Sequence, residues 1–92
     1  MKERYKNMYS IVKEEINNLD PVGLLKQDAP KDEYDAEVEK IVAGLPNCDN
    51  EQKVQQLIYE VFKEYFGEAT AGNLKLYFPA ARKIFKRVAI LS

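Results

Sequence analysis

Val54-Gln55-Gln56-Leu57-Ile58-Tyr59-Glu60-Val61-Phe62-Lys63-Glu64-Tyr65-Phe66 is the stretch on which the fold turns. Val54, Leu57, Ile58, Val61, Phe62, Tyr65 and Phe66 recur at steps of three and four, so they share one broad stripe of a helix. The stripe is wide enough for a central helix with neighbours on more than one side. Upstream, Asp49-Asn50-Glu51-Gln52 has capping-box spacing, with Asp49 expected to accept from the N3 amide and Gln52 to reach back. Downstream, Gly67 is placed for a left-handed stop.

Similar stripes lie on both sides. Toward the N-terminus, Tyr34, Val38, Ile41, Val42 and Leu45 define a helix that Gly44 and Pro46 bring to an end, with Glu37 and Glu39 facing outward. Asp32 is the expected cap, and the acidic first turn suits the positive end of the helix dipole. Further back, Tyr5, Met8, Tyr9, Val12, Ile16 and Leu19 form the stripe of a first helix, which Pro21 should stop near Leu19. Asp20-Pro21-Val22-Gly23-Leu24-Leu25 looks like a single capped turn that delivers Val22, Leu24 and Leu25 to the core. Gln27 to Lys31 is a connection.

Toward the C-terminus, Glu68 to Asn73 is expected to be a loop. Phe78, Ala81, Ile84, Phe85, Val88 and Leu91 are spaced for a last helix with Pro79 at its first position. Leu74 to Phe78 fits a helix or an extended run equally well. The expected architecture is all-α: one domain, residues 1–92, built as a small antiparallel bundle of about four helices with a short extra helical turn.

Composition narrows function mainly by exclusion. Among 92 residues there is no His, no Trp and one Cys. Histidine acid–base chemistry, Ser-His-Asp and Cys-His nucleophile pairs, an internal disulfide and ordinary Cys/His zinc sites are all ruled out. Gly23, Gly44, Gly67 and Gly72 stand too far apart for a phosphate-binding loop. The expectation is a protein without enzymatic activity, cofactor or metal. The first ten residues are polar and charged, unlike a secretory signal, and the lone Cys48 suits a reducing compartment, so a cytoplasmic location is expected.

Charge is divided along the chain. Lys75, Arg82, Lys83, Lys86 and Arg87 leave residues 73–92 with a net +5, whereas residues 1–72 sum to −6. Residues 28–40 alone, with Asp28, Asp32, Glu33, Asp35, Glu37 and Glu39 against Lys31 and Lys40, carry −4. The calcium-loop pattern is missing from that stretch, which leaves capping or a partner-facing surface. Arg82 and Lys86, like Lys83 and Arg87, are four apart and form neighbouring ridges. Such a helix could contact phosphates, but the overall net charge of −1 argues against nucleic acid, and membrane contact is weaker still. Complementarity between the two charged regions, or with a partner, is the simpler use.

Three further features bear on contacts. Cys48 lies at a helix start, where a thiolate would be favoured, yet nothing near it in sequence could serve as its base. Tyr59 leaves the Ile58/Phe62 line and is the best tyrosine for an interface anchor. Ile11, Leu76 and Ile90 are left over from the stripes and would favour a homodimer if they cluster. The expected partner surfaces are therefore Asp32, Glu33 and Asp35, Tyr59, and Arg82, Lys83, Lys86 and Arg87. The expected partner is another protein or a second copy of the chain.

Asp20-Pro21-Val22-Gly23-Leu24, then Ala29-Pro30-Lys31-Asp32-Glu33-Tyr34-Asp35 and Glu37-Val38, resembles the pattern of the YugE-like domain of unknown function, a family of small bacterial proteins. The same signature occurs in other small bacterial proteins, some of which look like immunity-type partners. The resemblance covers the second quarter of the chain closely; Leu19 stands where many such sequences carry an aromatic. It implies a compact helical protein and no established activity, cofactor or catalytic residue. In physical terms the signature would make a tight corner, with Tyr34 packed beside Val22 and Leu24.

Overall fold

The helix from Glu51 to Phe66 buries Val54, Ile58, Val61 and Phe62, the inner edge of the stripe that its sequence carries. The computed structural model describes residues 2–23 and 32–91. In chain order these form α1 (Lys2–Leu19), α2 (Asp35–Gly44), α3 (Glu51–Phe66), a short α4 (Glu68–Ala71) and α5 (Phe78–Ile90). Two 3₁₀ turns, Leu45–Asn47 and Leu74–Tyr77, complete the described elements, and no strand occurs among them. α1 packs against α2 and α5, and α3 against the same two, so the four long helices form a closed ring around one core. This is the expected all-α bundle. Its radius of gyration, 12.3 Å, is that of a fully packed chain of this length.

Aromatic rings fill the middle of the ring of helices. Phe62 stacks on Phe66 and Tyr77, with centroids 5.8 and 5.7 Å apart, and meets Tyr34 edge-on at 5.6 Å. Around them lie Val12 and Ile16 from α1, Val38 and Ile41 from α2, Ile58 from α3 and Ile84 from α5, all fully buried. Ile11 is buried as well, so it does not join an exposed apolar remainder. Gly44 marks a close approach of α2 to α3: a Cβ there would stand 2.7 Å from a terminal methyl of Leu57, which would have to shift.

Several helix ends differ from the expected ones. α3 is capped by Asn50, whose side chain accepts from the Lys53 amide at 2.8 Å, one residue later than the Asp49/Gln52 box. Asp49 instead pairs with the Lys53 ammonium at 3.1 Å. α2 starts at Asp35 with no side-chain cap, and Asp32 contributes only its carbonyl, which accepts from the Asp35 amide. Gly67, at φ 86°, ends α3 as expected, but the chain winds at once into α4 where a loop was expected. The Tyr77 hydroxyl donates to the Ala71 carbonyl at 2.6 Å and the Gln55 amide to the Leu74 carbonyl at 2.9 Å, which ties this segment to the core. The undecided Leu74–Phe78 stretch is a 3₁₀ turn running into α5.

The corner after α1 is built differently from a capped helix start. The Asp20 amide donates to Ile16, Asp20 takes a left-handed φ of 47°, and the Gly23 amide returns to the Asp20 carbonyl. Asp20 is nearly buried, and the Tyr34 hydroxyl donates to its Oδ1 at 2.7 Å while accepting from the Val22 amide at 3.3 Å. The expected contact of Tyr34 with the corner is therefore present at Val22. Leu24, Leu25 and the Gln27–Lys31 connection lie outside the described residues. Replacing Tyr34 by Phe removes a hydroxyl that serves both Asp20 and the Val22 amide. The expected loss is about 1–3 kcal/mol, read as a lower urea midpoint at unchanged slope.

Glu37 departs furthest from expectation. It is only 4% exposed rather than outward-facing, and its Oε1 has no hydrogen-bond partner. Burial pushes its carboxyl above the usual value, and the neighbouring charges of Glu33 and Asp35 push the same way, against its own backbone amide. The folded protein thus holds this proton more tightly than the unfolded chain. Stability from Glu37 is full in acid and is lost as the pH rises through the folded value. Glu37→Gln should accordingly stabilise the protein at pH 7 and do so less at pH 4.5; denaturant titrations at the two pH values check both the sign and the trend.

Candidate interaction surfaces

α5 begins at Phe78 with Pro79 in its first turn, where the missing amide costs nothing. This register turns Ala81 and Ile84 inward and leaves Phe78, Arg82 and Lys86, each four apart, on the outside. Ile90 continues that row, and Pro79 and Lys83 lie alongside on the neighbouring exposed ridge. Arg82, Lys83 and Lys86 form no ion pair among the described residues. Leu74 and Leu76 stand exposed on the preceding 3₁₀ turn, and Ile90 at the far end of α5 is 78% exposed. The outer side of α5 is thus a cationic strip with apolar residues at either end. Phe78 was expected in the core stripe; with its proline neighbour at the helix start, it sits instead at the rim.

Arg87 belongs to the interior arrangement. Its guanidinium bonds to the carboxylates of Glu14 and Glu15 on α1, the latter at 2.8 Å, and Glu15 is itself 8% exposed. Those two carboxylates keep the Arg87 charge firmly in place. Part of the charge division read from the sequence is therefore consumed by the α1–α5 contact. Asp35 is likewise paired internally, with the Lys13 ammonium 3.0 Å away. Asp32 and Glu33 remain exposed at the start of α2.

Tyr59 is an internal contact rather than a free anchor. Its ring meets Tyr77 edge-on at 6.0 Å, with the Lys63 ammonium over its other side. Its side chain leaves the Ile58/Phe62 line, as the spacing implies, but Tyr77 occupies the place where it goes. Burial raises Tyr77 to about 12, with the nearby Tyr59 adding to the effect, so its hydroxyl stays a donor to Ala71. Cys48 is half-buried and donates to the Gly44 carbonyl at 3.6 Å. Burial pushes its thiol up despite Lys53, so Cys48 is a partly buried thiol rather than an activated thiolate.

Of the eight residues expected on partner surfaces, the structure brings Arg82, Lys83 and Lys86 onto one exposed face. Asp32 and Glu33 lie apart from them in the turn before α2, while Asp35, Tyr59 and Arg87 are engaged within the fold. Of the apolar residues around this face, Leu76 and Ile90 belong to the expected apolar remainder and Phe78 to the expected core stripe, and nothing in the sequence marks Leu74 as exposed. Pro79, which fixes where α5 begins, is the signal that sets Phe78 at the rim.

Among the described residues, no group of three or more His, Cys, Asp and Glu side chains could hold a metal ion. No described helix is long and apolar enough to cross a membrane. No protein-family model, no curated protein and no solved structure matches this chain.

The two kinds of cation on α5 separate by mutation. Arg87→Gln leaves the nearly buried Glu15 uncompensated and should cost on the order of 1 kcal/mol, less than for a fully buried pair because the Arg87 side chain is 41% exposed. Arg82→Gln should stay within about 0.5 kcal/mol of the parent. Thermal or urea unfolding of the two variants measures the difference.

Proposed function

We propose that the protein acts by binding another protein, through the outer face of α5 and the turn before it. The single observation that carries this reading is the exposed run of Arg82, Lys83 and Lys86, unpaired among the described residues and flanked by Leu74, Leu76, Phe78 and Ile90. Unneutralised cations steer an acidic partner, and apolar groups at both ends give a bound surface something to exclude water from. The partner of this chemistry is an acidic protein surface bordered by apolar residues. Phe78 is the one ring among the residues that flank the cations, which is no run of stacking platforms, and the acidic remainder of the chain repels a polyanion, so protein is preferred to nucleic acid. In this reading the protein works in the cytoplasm, where Cys48 stays reduced.

The test compares the parent with a variant carrying Arg82→Gln, Lys83→Gln and Lys86→Gln, both tagged and used to capture proteins from their own cell extract at low salt. A stoichiometric protein partner held by the parent and bound at least tenfold more weakly by the variant supports the proposal. A partner held equally by both removes it. A low-salt gel shift with mixed DNA and RNA supplies the other arm: tight binding lost in the same variant would move the assignment to nucleic acid.

A further inference from the structure

A second feature lies at the end of the bundle where the first turns of α1, the Leu45–Asn47 turn, the start of α3 and the last turns of α5 converge. There the side chains leave a half-open cavity of about 310 Å³, at the small end of the roughly 300–1,000 Å³ typical of small-molecule sites. Met8, Leu45, Pro46, Val54, Phe85 and Val88 make its walls mainly apolar. Two groups interrupt them. Cys48 lines the cavity as a neutral thiol, its pKa raised by burial and its hydrogen committed to the Gly44 carbonyl. Arg4 stands at the edge, one guanidinium nitrogen donating to the Leu91 carbonyl, and has no acidic partner among the described residues.

The combination selects a ligand class. An apolar hollow favours an aliphatic chain at about 25 cal/mol per Å² covered. A guanidinium anchored through one nitrogen keeps its remaining N–H groups for an anion, and its planar fork matches a carboxylate. The neutral thiol adds no opposing charge. We propose that this cavity binds a free medium-chain aliphatic carboxylate, with the chain in the hollow and the head group on Arg4. The site is separate from the outer face of α5 and does not depend on the function proposed for that face.

Cys48 provides the readout, since it is the only cysteine in the chain. The rate of its alkylation by iodoacetamide is followed while octanoate, decanoate or decanol is added below the micellar range. Calorimetry of decanoate runs in parallel. Decanoate should slow alkylation at least fivefold in a saturable manner, and decanol should need about ten times the concentration. Arg4→Gln should weaken decanoate about tenfold and leave decanol unchanged. Ala89→Trp, a change at an exposed position on the cavity wall, should block both ligands while circular dichroism remains that of the parent. The proposal is overturned if decanoate leaves alkylation unchanged. Equal binding of decanol and decanoate, or full decanoate affinity in folded Arg4→Gln or Ala89→Trp protein, overturns it too.

Discussion

Phe62 is the ring on which the described structure converges. It lies on α3, yet it touches Tyr34 just ahead of α2, Tyr77 just ahead of α5 and Phe66 at the end of its own helix. Each of the two tyrosines then commits its hydroxyl to groups outside the four long helices. Tyr34 holds the corner after α1, through Asp20 and Val22, and Tyr77 holds the short α4 through the Ala71 carbonyl. Two contacts of one ring thus fix two connecting segments, because a tyrosine buries its ring while its polar end seeks a partner. The loops are organised from the core outward.

Charge in this protein is used in two ways that sequence distance does not reveal. Arg87 and Asp35 close contacts between helices, with Glu14, Glu15 and Lys13 as their counterparts on α1. Arg82, Lys83 and Lys86, within five residues of Arg87 on the same helix, meet no such counterpart among the described residues. The difference is one of helix face. Position 87 turns toward the carboxylates of α1, whereas 82 and 86 are exposed and 83 borders α1 without an ion pair among the described residues. Glu37 shows the opposite case, an acid carried inward on α2 between Tyr34 and Val38, which are fully buried.

The long helices were legible because their apolar spacing is regular and because burying a stripe leaves little choice of register. α1, α3 and the body of α5 fall where the periodicity puts them. Capping was less legible: Asp49 and Asn50 are both good caps, and only the packing of Val54 and Ile58 decides which residue comes first in the helix. Asp20 could not be read correctly from its neighbours, since its conformation is set by Tyr34, fourteen positions later. The same holds for Tyr59, whose place depends on Tyr77. Partner surfaces were legible only in part, because charge pattern marks candidates and tertiary contacts then consume some of them. For the cavity beside Arg4 there was no signal at all, since its walls come from four separate stretches of chain.

The ring of helices has a topological corollary. α1 and α5 are first and last in the chain, yet they are neighbours, and Arg4 near one end bonds to the Leu91 carbonyl near the other. With its extremities side by side, the order of the sequence is only one of several ways to thread the same circle. A permuted chain, joined where Arg4 and Leu91 meet and reopened at the exposed Gly67, would retain every helix–helix neighbour described here.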